Sequence, residues 1–250
     1  MSTSFNNRRI NELVDENYVY ASVLFHLGIQ FYDYSEKTLE EACEEHGLNL
    51  NNVIRSLEAS VNRGDETNPV LKSYPIDLII EYLKHAHHIF VKRRLPYLAK
   101  IIETLDEKNG YQSICSDLKF VFPLFVEDFI HHIYEEEDNL FGFILDLQKF
   151  NKGKLSTGKL YYQIEKFSIR KYAAEHEAHD DEMNGIRRIT GNYSVNQKAS
   201  LHLTVVYAEL QAFERELKIH SMVENNILFP KAINLEKKAL KTFRQKINDN

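Results

Sequence analysis

Two stretches of the chain read alike: His132-x-x-x-Glu136-x-x-x-Leu140-Phe141 and His220-x-x-x-Glu224-x-x-x-Leu228-Phe229. On a helix, residues four apart project from the same face, so each stretch presents an imidazole and a carboxylate side by side. Both pairs fall on apolar stripes. Phe122, Phe125, Phe129, His132, Glu136, Leu140, Phe143 and Leu147 follow one another in steps of three and four, as do Val206, Leu210, Phe213, Leu217, His220, Glu224 and Ile227. Such stripes face a core. A carboxylate buried without a partner is costly, and two facing each other repel, so cations or protons must supply the missing charge. One His-Glu pair reads as a buried ion pair in an inert core. Two in register point instead to a dinuclear metal held inside a helical bundle, with a metal-free bundle as the purely structural alternative.

The remaining helices of such a bundle should add histidines, and His85, His87 and His88 on one segment and His176 and His179 on another are available. The apolar phase of Ile79, Leu83 and Phe90 favours His87 over His88. Ile169, Ala173, His176, Met183 and Ile186 make a stripe on which His179 also falls, so either histidine or both face inward. Four imidazoles with two carboxylates suit iron or zinc better than magnesium or calcium. The spacing also differs from the Glu-x-x-His pattern of carboxylate-dominated di-iron bundles. Open coordination positions would admit dioxygen, nitric oxide or peroxide.

The elements that must position these residues are helical. Nine glycines, five prolines and no tryptophan in 250 residues, with Leu, Glu, Lys, Ile and Ala at helical spacing, argue for an all-α chain. Four long segments are expected, at about Pro75–Asp106, Ser113–Phe150, Ser156–Thr190 and Ser194–Leu235, with Gly110, Gly153 and Gly191 in the connections. Long helices joined by short loops fold back as an up-down-up-down four-helix bundle. Ahead of it, Ile10–Leu27, a helix capped by Thr38 and Glu41 and ending at Gly47, and Leu50–Val61 form a small helical module. The polar, breaker-containing stretch from Asn62 to Pro69 marks the boundary, giving a module over 1–62, a linker over 63–74 and the bundle over 75–250.

The formal charge of −6, with lysines and glutamates interspersed, offers no basic face to nucleic acid. Cys43 and Cys115 are the two cysteines and give neither a zinc nor a disulfide framework. The polar stretch Met1–Arg9 and the charges within the most apolar segment, Val121–Ile130, argue against a signal peptide and a membrane span, so a cytoplasmic location is expected.

These residues resemble the iron-sulfur cluster repair di-iron proteins, also called regulators of cell morphogenesis and nitric oxide signalling, over nearly the whole chain. The most specific segment is His220-Ser221-Met222-Val223-Glu224-Asn225-Asn226-Ile227-Leu228-Phe229-Pro230. It is supported by His87-His88 followed by Leu95-Pro96, by His132 to Glu137, and by Glu175-His176 followed by Ile186 and Thr190. The resemblance implies a hemerythrin-like bundle holding two iron ions, bridged by oxo and carboxylate groups. It selects His88, His132, Glu136, His176, His220 and Glu224 as ligands, placing the first by its distance from the Leu-Pro pair and the third-helix ligand by the preceding glutamate. Asp128, Glu175, His87 and His179 are then candidates to hydrogen-bond the ligand imidazoles, and Asp128 and Glu175 also for an iron exit path. His179 and Asp180 stand where the family has small residues.

The resemblance further implies support for repair of iron-sulfur clusters damaged by nitrosative or oxidative stress, by iron donation or nitric oxide handling. The alternative is a dioxygen or nitric oxide sensor that signals to a protein partner. The family's N-terminal Cys-Cys-Gly-Gly signature is replaced by Tyr32-Asp33-Tyr34-Ser35, so an interaction or packing role is expected of the module rather than thiol chemistry. Expected partners are the small ligands, damaged iron-sulfur proteins and a second copy of the chain. Neither nucleic acid nor membrane is expected, and the reaction class stays open.

Overall fold

The computed structural model describes the chain except residues 1–4, 18, 19, 21, 22, 25, 26, 30, 32, 33, 35, 62–70, 107–109, 179, 180, 198, 249 and 250, and the side chains of 61, 177, 178, 201 and 246–248. The described residues are all-α, the single β feature among them being an isolated bridge between Arg9 and Thr38. No described helix is long and apolar enough to cross a membrane.

The chain divides into two compact units, residues 1–85 and 86–250. In the first, Leu39–Glu45 begins with the expected box: the Glu41 backbone N–H donates to the Thr38 hydroxyl at 3.3 Å and the Glu41 carboxylate accepts from the Thr38 backbone at 2.8 Å. The chain turns after this helix at Gly47, whose φ of +62° is a conformation that a Cβ would disfavour. Leu50–Val61 forms as expected, whereas the first helix spans only Ile10–Glu16 because Asn17 leaves the helix in an extended conformation. Ile10, Leu13, Leu24, Phe31, Leu39 and Leu57 are wholly buried in this unit's core, which also takes in Leu78. The division therefore falls within the helix Ile76–Ile89 rather than at 63–74, whose residues 63–70 lie outside the described ones.

Four helical runs build the second unit. Three are long and continuous: Ile76 to Glu103, whose first turns belong to the first unit, Gln112 to Asn151, and Leu201 to Asn248. The third run in sequence is broken into Thr157–Lys166, Ile169–Ala178 and Asn184–Ile189 instead of the single helix expected over Ser156–Thr190. Its first break is at Phe167, which is extended (φ −135°, ψ 135°) and packs its ring on Phe143. The core holds most of both stripes: Phe122, Phe129, Leu140, Phe143 and Leu147 from one, and Val206, Leu210, Phe213, Leu217 and Ile227 from the other, are buried. Phe213 meets Phe90, Phe125 and Phe129 edge-on, at centroid separations of 5.6, 6.2 and 6.0 Å.

Each continuous run contains one π-helical segment: Phe90–Arg94, Glu136–Phe141 and Glu224–Leu228. Two of them end ahead of a proline. The Leu95 N–H reaches the Phe90 carbonyl and the Phe229 N–H the Glu224 carbonyl, five residues back in each case, just before Pro96 and Pro230. Proline removes a helical donor and its ring crowds the carbonyl four residues back, and a wide turn at that point relieves both. The extra residue also lets adjacent positions face inward together, so Leu140 and Phe141, like Leu228 and Phe229, are all buried.

Candidate metal centre

The π-helical segments bracket one cluster of polar side chains in the apolar interior of the second unit, and two of them begin at its glutamates. Glu136 and Glu224 have no exposed surface. Four imidazoles surround them. His87 Nε2 lies 3.2 Å from Glu136 Oε2, and His220 Nε2 lies 3.2 Å from Glu224 Oε1. The same two ring nitrogens are 3.0 Å apart. On the other side, His176 Nε2 is 3.3 Å from both Glu136 Oε1 and Glu224 Oε2, and His132 Nε2 is 3.5 Å from Glu136 Oε1. Each carboxylate thus turns one oxygen to the His87/His220 pair and the other to the His132/His176 side.

Ligand atoms from His87, Glu136, His220 and Glu224 lie within 4.8 Å of one another, as do those from His132, Glu136 and His176, and either group could hold a metal ion. Bonds of about 2.1 Å at right angles separate neighbouring ligand atoms by about 3 Å, close to the spacings observed. All four carboxylate oxygens are buried, and among the described residues none has a hydrogen-bond partner of regular geometry. Buried oxygens in this state call for a cation. A donor set of imidazole nitrogens and carboxylate oxygens in this arrangement fits a buried metal site.

Without metal, protons carry the compensating charge. Burial pushes the His87 imidazole down, but the Glu136 and Glu137 carboxylates outweigh it and raise its pKa to about 9. Burial is likewise outweighed at His176 by Glu136 and Glu224, which raise it to about 10. His132 has the opposite fate, since burial wins and lowers it. Burial works against the ionised form of Glu224, yet the neighbouring His220 and His176 hold its carboxyl well below the usual range. Apolar rings close the site: Phe141 stacks on His87 at 5.8 Å, Phe229 meets His176 edge-on at 5.3 Å, and Phe90 meets His220 at 5.6 Å.

A cavity of about 310 Å³ opens on one side of the cluster, lined by His132, His176, His220 and Glu224 together with Tyr172, Glu175, Glu182, Glu214 and Lys218. It does not reach His87.

The structure brings together His132, Glu136, His176, His220 and Glu224, but not His88. His88 is exposed and belongs to neither group, while His87, 2 % exposed, occupies the position expected of it. The physical reason lies in the π-turn at Phe90–Arg94. A count back from Leu95-Pro96 crosses a turn that holds an extra residue, so it loses helical phase, whereas the apolar phase set by Ile79 and Leu83 from the other side keeps it. His85 is buried against Phe31 in the first unit. Of the other residues singled out, Asp128 is exposed and does not line the cavity, Glu175 lines it and pairs with Lys171, and His179 and Asp180 lie outside the described residues.

Three residues went unnoticed in the sequence. The Glu137 carboxylate sits 2.8 Å from His87 Nδ1, Glu182 Oε1 lies 3.8 Å from His132 Nε2, and Tyr172 packs its ring near His176. Glu137 was signalled by its place in the run Glu135-Glu136-Glu137; the other two carried no periodic signal.

No family model matches this chain. Among curated proteins it is similar to the iron-sulfur cluster repair protein YtfE of Yersinia pestis (strain Pestoides F), with 22 % identity over 79 % of this chain and 84 % of the relative. Its similarity to the protein of the same name from Yersinia pseudotuberculosis serotype O:1b has the same identity and coverage. The aligned 199 residues exceed the 165 of the second unit, so the likeness extends beyond the metal-centre bundle. With its helical fold and its buried His/Glu cluster, the chain is related to the iron-sulfur cluster repair proteins.

Proposed function

We propose that this protein is a hemerythrin-like, non-haem di-iron protein that supports the repair of iron-sulfur clusters damaged by nitrosative or oxidative stress. The observation that carries the reading is the convergence of four imidazoles on two buried carboxylates whose oxygens lack hydrogen bonds of regular geometry among the described residues. His87, His132, His176 and His220 would each give one ring nitrogen, and Glu136 and Glu224 would bridge. When bound, iron supplies exchangeable coordination positions and one-electron chemistry. The chain's own residues hold the two ions, exclude bulk water with Phe90, Phe141 and Phe229, and leave access through the cavity beside His132 and His176. Nitric oxide, dioxygen or peroxide would reach the site by that cavity, and iron would leave through it toward a damaged client.

Such a role places the protein in the cytoplasm, where the clients are. A second reading, a dioxygen or nitric oxide sensor acting on a protein partner, draws on the absence of a vicinal cysteine pair at Tyr32-Asp33-Tyr34-Ser35; of these, only Tyr34 is among the described residues. One experiment separates the two. Protein loaded with iron without oxygen is added to nitric-oxide-treated extract, and aconitase activity and protein-bound iron are followed together. Repair predicts recovery of aconitase as iron leaves the protein. Reversible nitric oxide binding with no recovery would reject repair in favour of sensing.

A further inference from the structure

The two halves of the cluster are not built alike. His87 is the ring furthest from solvent, 2 % exposed and absent from the cavity wall, although its neighbour His220, 8 % exposed, does line the cavity. His87 is also anchored, since its Nδ1 is 2.8 Å from the Glu137 carboxylate while its Nε2 faces the site. A carboxylate on the far nitrogen fixes the ring and makes it a better donor. The His132/His176 half is open. His132 is 29 % exposed at the cavity wall, and a third carboxylate, Glu182, stands 3.8 Å from its Nε2. Glu182 is itself 28 % exposed and belongs to the turn that precedes the helix Asn184–Ile189. It therefore sits on a short irregular segment rather than on the rigid core of the bundle.

We propose that the two metal positions differ in exchange: the His87/His220 position retains its ion, and the His132/His176 position trades its ion with the cavity through Glu182. Glu182 would be a transient ligand, taking over a bond to the ion as His132 releases it and returning the ion to His132 on loading. Glu137 does the reverse for the His87/His220 position by holding His87 in place. The inference rests on the di-iron reading above and adds which ion is mobile and which carboxylate moves it.

The test loads the full chain with iron(II) under anaerobic conditions, measures iron per chain, then mixes it with excess coloured ferrous chelator and follows release by stopped flow. Wild type should release its iron in two phases of equal amplitude. Glu182→Gln should still load two irons but slow the fast phase roughly tenfold or more, and Glu137→Gln should speed the slow phase roughly tenfold, the scale on which partners of ligating residues act. Glu182→Ser should behave as Glu182→Gln, since the side chain lies on a half-exposed turn. Release of both irons in a single phase, or a fast phase left unchanged or quickened by Glu182→Gln, would overturn the proposal while leaving the di-iron reading standing. A wild-type chain that takes up no iron refutes both.

Discussion

The sharpest consequence of the geometry concerns adjacent histidines that a reader of the sequence would treat as interchangeable. His87→Ala removes a ring nitrogen that lies 3.0 Å from His220 Nε2 and 3.2 Å from Glu136 Oε2, whereas His88→Ala removes an exposed ring that belongs to neither ligand group. Loss of a residue that merely supports a ligand weakens metal binding by about 10–100-fold, so loss of the ligand itself should cost at least about 100-fold, or about 2.7 kcal/mol. At free metal buffered tenfold above the wild-type dissociation constant, occupancy of that position should fall from about 90 % to about 10 %. Metal per chain after equilibrium dialysis should therefore drop from two to about one in His87→Ala and stay at two in His88→Ala. Far-ultraviolet circular dichroism should show both variants still helical. Retention of metal by His87→Ala together with its loss from His88→Ala would refute the register assigned here, including the effect of the π-turn at Phe90–Arg94.

Glu224 turns one oxygen to each half of the cluster, so Glu224→Gln should lower the metal content at both positions, measurable by elemental analysis; unchanged content would sink the bridging role. In metal-free protein, the raised pKa values of His87, about 9, and His176, about 10, stabilise the fold fully below their ordinary value of 6.5. That contribution is lost as pH rises through the raised values. Urea midpoints in chelator should fall between pH 7 and 10, and the fall should be absent from the His87→Gln/His176→Gln double variant. Phe213→Ala removes a fully buried ring that touches three other phenylalanines and should cost about 3–5 kcal/mol in urea unfolding, with a value under about 1 kcal/mol contradicting the packing described.

Much of this protein is legible in its sequence. The repeated His-x3-Glu-x3-Leu-Phe pattern placed an imidazole and a carboxylate together on each of two helices, because helical geometry makes residues four apart neighbours whatever surrounds them. The Thr38/Glu41 box and the apolar stripes through Phe129 and Phe213 are local in the same sense, since backbone periodicity and short-range hydrogen bonds create them. The third run was harder to read. Nothing periodic announces that Phe167 turns out of the helix to pack on Phe143, or that the helix is interrupted again before Asn184.

By itself, the sequence determined the helical class and the four ligand candidates on the second and fourth runs, His132, Glu136, His220 and Glu224, since these depend on spacing within single helices. Between His87 and His88 the sequence pointed both ways, helical phase to the first and the resemblance to the second, and the tertiary structure decided for His87, whose ring faces Glu136 and His220. It alone joined Glu137 to His87, and Glu182 to His132 across 50 residues of chain, contacts that follow from how the runs pack and that no periodicity along one helix encodes. And it alone made the two halves of the centre unequal, since burial and access belong to the surrounding bundle and not to the ligands.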